Sequence, residues 1–227
     1  MSDHSTEAPT TKPAGRIPVW LKLVYTAFVL ILVPHYWNSY GPTNFLYFCD
    51  MAVFFALGAI WLEWPILASM PAVGILLPQA LWMIDFLAEL AGFRMTGMTG
   101  YMFDQSIPPF TRGLSLFHFW LPILLVWLVW RLGYDRRALP VWTVLAWALV
   151  LVCYLWMPAP PAPPDDPNRV VNINYVYGFS DTPQQWMPQK FYVAAEMAVL
   201  ALGIFLPTHY LLAWLFPTRS GFPARPT

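Results

Sequence analysis

The sequence predicts an all-α polytopic membrane protein with six transmembrane helices and both termini in the cytoplasm. Three observations carry that expectation. The chain has 227 residues, of which 58% are hydrophobic and only 11% charged, whereas roughly a quarter of a soluble domain is charged. Its apolar residues fall into runs of about 20, the length that crosses a hydrocarbon core. Thirteen Trp and sixteen Phe gather toward the run ends, as interfacial aromatic belts do. A net charge of zero gives no basic footprint for nucleic acid.

Taken in order, residues 1–17 form a polar Ser/Thr/Pro tail expected to be disordered. The apolar run 19–33 has the length of a signal-peptide core. It leads into Pro34-His35-Tyr36-Trp37 instead of a small-residue cleavage site, so it is expected as an uncleaved first span. The six spans are expected near 18–35, 43–62, 66–92, 110–132, 138–157 and 189–216, followed by a tail at 217–227. Pro71 and Pro78 in the third and Pro207 in the sixth predict tilt or kinking. Glu63-Trp64-Pro65 leaves room only for a tight helical hairpin. The other connections are a Gly/Met-rich loop near 93–108, the charged turn Gly133 to Arg137, and a long outer loop at 158–188. That loop opens with a proline-rich, polyproline-II type spacer. No internal repeat is visible.

Lys and Arg positions set the orientation. With the N-terminus inside, Lys12, Arg16, Arg131, Arg136, Arg137, Arg219 and Arg225 face the cytoplasm. Arg94, Arg112, Arg169 and Lys190 face out, so the bias places both termini inside.

Depth along the spans points to a site. Cys49 and Asp50 lie about two turns below the outer end of span two, and Asp85 and Glu89 lie on the outer part of span three with i, i+4 spacing. In span four, Thr111, Ser115 and His118 are spaced i, i+4, i+7, which stacks them on one helix face. Cys153 lies near the outer end of span five and Glu196 about two turns into span six. Asn172 and Asn174 sit in the outer loop. The inner halves hold little beyond Lys22, Glu63, Thr208 and His209, near an interface where side chains can snorkel. Ionisable groups inside spans are functional candidates by default. The expectation is an outward-facing polar pocket walled by Cys49, Asp50, Asp85, Glu89, Arg112, Ser115, His118 and Glu196.

Phe45 to Ala52, with its Cys49-Asp50 pair, resembles the Leu-His-Leu-Cys-Asp segment of the bacterial YwaF-type membrane proteins. Their eukaryotic relatives include transmembrane protein 164, an ether-phospholipid acyltransferase. Gln79-Ala80-Leu81 with Asp85, His118 and Asn172-Ile173-Asn174 resemble further motifs of that family in the same order, over spans two to six. Tyr47 and Phe48 stand where the family carries a histidine, and the threonine-proline before the aspartate is missing. The resemblance implies acyl transfer through a cysteine thioester with histidine as base, on membrane lipids and in a bacterial plasma membrane.

The residues are compatible with that chemistry. Cysteine attacks as thiolate, and imidazole is its usual activator. Asp50 or Asp85 would orient the ring, as the third member of a triad does. Arg112 would bind a lipid phosphate, with Ser115, Glu89, Asn172, Asn174 and Glu196 as further substrate contacts. Plainer readings stand beside these. Cys49 is also read as a small buried hydrophobe or a disulfide partner of Cys153, and His118 as a structural link between spans. A zinc hydrolase needs more histidine or carboxylate ligands than one deep histidine supplies. Met95, Met98 and Met102 would suit Cu(I) but read as interfacial methionines. With no phosphate loop or dinucleotide fingerprint, no cofactor or metal is expected. The alternative to an enzyme is a non-enzymatic protein, either a small transporter subunit or a scaffold.

Overall fold

The computed structural model describes residues 16–166, 169–180 and 182–217. Most of the polar N-terminal tail and of the 217–227 tail lies outside the described residues. The last two residues of the 1–17 segment lie inside them, and they are packed: Ile17 is buried.

The described chain is helical. It comprises α1 (Val19–Tyr40), α2 (Phe48–Leu62), α3 (Pro65–Leu90), α4 (Pro109–Ser115), α5 (Phe117–Leu132), α6 (Ala138–Trp156), α7 (Gln189–Val199) and α8 (Leu206–Leu215), with a π turn at Leu200–Phe205 joining the last two. Five continuous stretches are long and apolar enough to cross a membrane: Val19–Tyr40, Pro65–Leu90, Pro109–Leu132, Ala138–Trp156 and Gln189–Leu215. The chain is therefore built as a multi-pass membrane protein.

Two boundaries differ from expectation. The first helix does not stop near residue 35 but runs through Pro34 to Tyr40, because a proline removes a single amide donor and leaves the following turns free to continue. The second span is shorter than the expected 43–62. A 3₁₀ turn at Pro42–Leu46 precedes a helix of 15 residues. Still, α2 runs from one end of the bundle to the other, since Asp50 lies near Tyr36 late in α1 and Glu63 meets Lys22 early in α1.

α3 is the central element, packed against α2, α5, α6 and α8. Its stretch Ala68 to Ile75 is buried on every face, as an all-round apolar helix must be. Ala52, Ala56 and Ala59, spaced i, i+4, i+7 on α2, are fully buried. Small residues at that spacing let helix backbones approach closely. Trp20, Leu23, Leu30 and Ile31 on α1 stay exposed, a surface suited to lipid chains.

The end of the bundle opposite Cys49 is tied by Glu63. This residue turns the α2–α3 corner with φ 54 and accepts from the Arg16 amide at 2.9 Å, the Ile17 amide at 3.3 Å and Lys22 Nζ at 2.9 Å. Burial alone would raise the Glu63 carboxyl, but the Lys22 ammonium and the two amides outweigh it and hold it below its ordinary value of 4.5. A depressed carboxylate stabilises the fold above its unfolded pKa and loses that contribution as pH falls through the folded value. The melting temperature is expected to decline below about pH 4.5, and Glu63→Gln should flatten part of that decline in a pH series of thermal melts.

Candidate functional site

The polar side chains of the Cys49 end are placed by the ends of four helices and by the loop at 93–108. Cys49 and Asp50 occupy the first turn of α2, where amide donors without helical partners favour a negative group. Asp50 is only 3% exposed. One of its oxygens accepts from Asn44 Nδ2 at 3.1 Å, and the other, Oδ1, is buried with no partner. Tyr36 on α1 is within electrostatic reach of both Asp50 and Cys49 and shares a 2.7 Å hydrogen bond with Ser115 Oγ.

His118 is on α5, three residues after Ser115, and its contacts run to α3 and not to Asp50 or Cys49. Its Nδ1 pairs with Gln79 Nε2 at 3.0 Å, and because the amide donates, the ring proton sits on Nε2. The ring stacks on Phe117 with centroids 4.1 Å apart and faces Trp82 at 5.2 Å. Gln79 Oε1 is buried without a partner. Tyr101, from the short 3₁₀ turn Gly100–Met102, faces the Trp82 indole N–H and is within electrostatic reach of Tyr36 and Cys49.

Several expected contacts are replaced by others. Thr111 and Ser115 do share a face, toward α1: Thr111 Oγ1 bonds His35 Nε2 at 2.8 Å. His118 departs from that face and turns to α3. The helix is interrupted at Leu116, and Pro122 removes the amide that would have bonded the His118 carbonyl. No carboxylate orients His118. Asp85 instead holds the 93–108 loop, accepting from the Thr96 amide at 2.6 Å, the Thr99 amide at 3.0 Å and Thr99 Oγ1 at 2.8 Å. Glu89 accepts from the same hydroxyl at 3.0 Å. Both carboxylates thereby hold the loop.

Arg112 donates from Nη1 to the Met102 carbonyl at 3.1 Å, while its buried Nε has no partner. Asn172 and Asn174 adopt the left-handed conformation, φ 51 and 58, which asparagine tolerates. Asn172 bonds the backbone of Tyr177 and Gly178. Asn174 accepts from the Phe48 amide at 3.1 Å and donates to the Leu46 carbonyl at 2.9 Å. Both residues tether backbone segments of this end. Asn174→Ala, which strands the Phe48 amide at the start of α2, is expected to cost about 2 kcal/mol in equilibrium unfolding.

Glu196 stands apart from His118, within electrostatic reach of Cys153 and Tyr192. Cys49 and Cys153 are both free thiols, so no disulfide joins them. Cys49 makes no hydrogen bond to His118, and among the described residues no three His, Cys, Asp or Glu side chains converge as a metal site.

Tyr36, Asn44 and Tyr101 were not anticipated as site residues. Nothing separates Tyr36 or Tyr101 in sequence from the other aromatics of an interfacial belt. Gln79 carried a usable signal: it is a carboxamide in the middle of the apolar run 66–92. Comparison of the chain with family models, with curated proteins and with solved structures gives no match.

Proposed function

We propose that this chain is a six-span membrane protein with both termini in the cytoplasm, and that its Cys49 end receives the polar part of a membrane lipid. The carrying observation is that two of the three buried side-chain oxygens without a protein partner, Asp50 Oδ1 and Gln79 Oε1, belong to this end, the third being Glu196 Oε2. Leaving such an atom unpaired costs about 1–3 kcal/mol, and in an apolar bundle that cost is offset where a ligand brings the donor. Tyr36, Tyr101 and His118 Nε2 are the hydrogen-bonding groups beside it. The end-to-end path of α2 supports the sixth span, with its 15 residues lengthened by the 3₁₀ turn before it.

The test is native mass spectrometry of the purified full-length protein with its co-purifying lipid. Asp50→Asn and Gln79→Leu should each lower lipid retention by about tenfold, the equivalent of one lost hydrogen bond; Asp50→Asn should hold the melting temperature, whereas Gln79→Leu also strands His118 Nδ1 and should lower it. Undiminished retention in both variants would overturn the reading.

A second reading, acyl transfer, is favoured by the position of Cys49 in the first turn of α2. With its proton on Nε2, His118 would act as base after tautomer exchange with Gln79 reorientation, taking the Cys49 thiol proton. The thiolate adds to a lipid ester carbonyl, the C–O bond breaks, and the lyso-lipid alcohol leaves with that proton. Water or a second alcohol then releases the acyl group from the thioester. An alkyne-tagged long-chain 2-bromoacyl lipid is expected to alkylate half-buried Cys49 and spare buried Cys153. His118→Gln should slow that labelling about tenfold or more. An equal rate with and without the imidazole would remove His118 as base.

A further inference from the structure

A cleft of about 350 Å³ opens at the same end of the bundle, between the end of α1 and the first part of the 158–188 loop. It shares no residue with the group around Cys49 and His118. Trp37, Tyr40 and Thr43 form one wall, and Trp156, Asp166 and Arg169 form the other. The backbone fixes both walls. Gly41, with φ 81, reverses the chain after α1 while its amide bonds the Trp37 carbonyl. Across the cleft, the Asn172 amide bonds the Pro158 carbonyl at 3.1 Å and closes the base of the loop, and the Arg169 amide bonds the Asp166 carbonyl at 3.1 Å.

Asp166 and Arg169 line the same cleft, yet no ion pair joins them among the described residues. A site for a simple anion would be weakened by Asp166, and a site for a simple cation by Arg169. Opposite charges held apart in one concavity match a ligand that carries both charges itself. The aromatic wall fits the cationic half: Trp and Tyr faces attract ammonium groups, and Trp37 and Trp156 are 57% and 69% exposed. A guanidinium fork fits the anionic half when that half is a phosphate.

We propose that this cleft binds a phosphate–ammonium zwitterion, with the phosphate on Arg169 and the ammonium held by Asp166 and the faces of Trp37, Tyr40 and Trp156. The cleft lies at the ends of two spanning helices, among exposed tryptophans of the kind that mark the headgroup level. That position makes a lipid headgroup the source, and the volume suits the headgroup without its acyl chains.

The full-length protein in detergent micelles doped with phosphatidylethanolamine or with phosphatidylglycerol, which carries the phosphate without the amine, separates the cases by native mass spectrometry. The expected result is retention of phosphatidylethanolamine over phosphatidylglycerol by about tenfold. Arg169→Gln and Asp166→Asn should each abolish that preference, with melting temperatures unchanged because both residues are in a surface loop. Asp50→Asn and Gln79→Leu should leave it intact, so failure here and failure of the intramembrane site are read separately. Displacement of the lipid by free phosphoethanolamine would support the same chemistry with a soluble source. Equal retention of the two lipids would overturn the proposal, as would no retention of either. A loss confined to Arg169→Gln would also overturn it, since the site would then be one for anions alone.

Discussion

Gly74→Ala is expected to lower the stability of the bundle by about 2 kcal/mol, read as a fall in melting temperature when unfolding is followed by a thiol-reactive dye at buried Cys153. A methyl group at Gly74 would lie 2.0 Å from Cε2 and Nε1 of Trp142 and 2.3 Å from its Cζ2. Trp142 is fully buried and wedged edge-on between Phe48 and Phe55, with ring centroids at 6.3 and 6.0 Å. The indole has nowhere to retreat, so α3 and α6 must separate. Two effects oppose each other. Replacing an interior helical glycine by alanine gains about 1 kcal/mol in propensity, whereas overpacking of a filled core costs about 1–3 kcal/mol and occasionally more. Displacing a fused ring system by more than an ångström belongs at or beyond the top of that range, so the clash wins. Trp142→Phe relieves it and also deletes an indole N–H that has no partner. The double variant should therefore lose less than the sum of the singles. A Gly74→Ala protein as stable as the parent would show that the α3–α6 contact is looser than the indole's position implies.

Asp85→Ala should release the loop at 93–108 while leaving the helices in place. Three donors converge on this carboxylate, and it is fully buried. Hydrogen bonds to a charged group each contribute about 1.5–3 kcal/mol, and bonds sharing one acceptor group do not add in full. A local loss of about 3 kcal/mol is the reasonable sum, and it corresponds to faster amide exchange at Thr96 and Thr99 by about a hundredfold. Asp85→Asn keeps one acceptor oxygen but turns an amide toward the donors, and should recover little. Tyr101 rides on this loop, so the same variants should alter its contact with Trp82, visible as a change in tryptophan emission. Unchanged exchange at both threonines would mean that the loop is held by its own packing.

The membrane class and the helical architecture were legible in the sequence because hydrocarbon length and the cost of exposed charge act on every residue of a span. Depth was legible only in part: Cys49 and Asp50 were expected about two turns below the end of their span and lie in the first turn of α2, because the 3₁₀ turn at Pro42–Leu46 takes up the residues before them. Azimuth was not. Whether His118 looks toward α1 or α3 depends on the break at Leu116 and on the amide missing at Pro122, which shift a face by a fraction of a turn. Asp85 shows the corresponding limit for function. An aspartate in the outer part of a span has the same sequence appearance whether it orients a catalytic ring or fastens a loop. Only the positions of Thr96 and Thr99, eleven and fourteen residues later, decide between them. Asn174 was placed in the outer loop as a substrate contact, while its reach to Phe48, 126 residues away, carries no local trace.

The π turn at Leu200–Phe205 bears on how this chain can change length. A wide turn of this kind accommodates one residue more than the α-helix on either side of it needs. The extra residue is absorbed locally, so Tyr192 before the turn and His209 after it, which bonds Tyr134 at 2.6 Å, both keep their faces. Removal of a single residue between Val199 and Leu206 would restore regular helix and preserve both contacts. A deletion anywhere else in α7 or α8 would rotate everything beyond it by about 100°, as the helical period of 3.6 requires. This one turn is therefore where the final span can gain or lose a residue without changing which neighbours it meets.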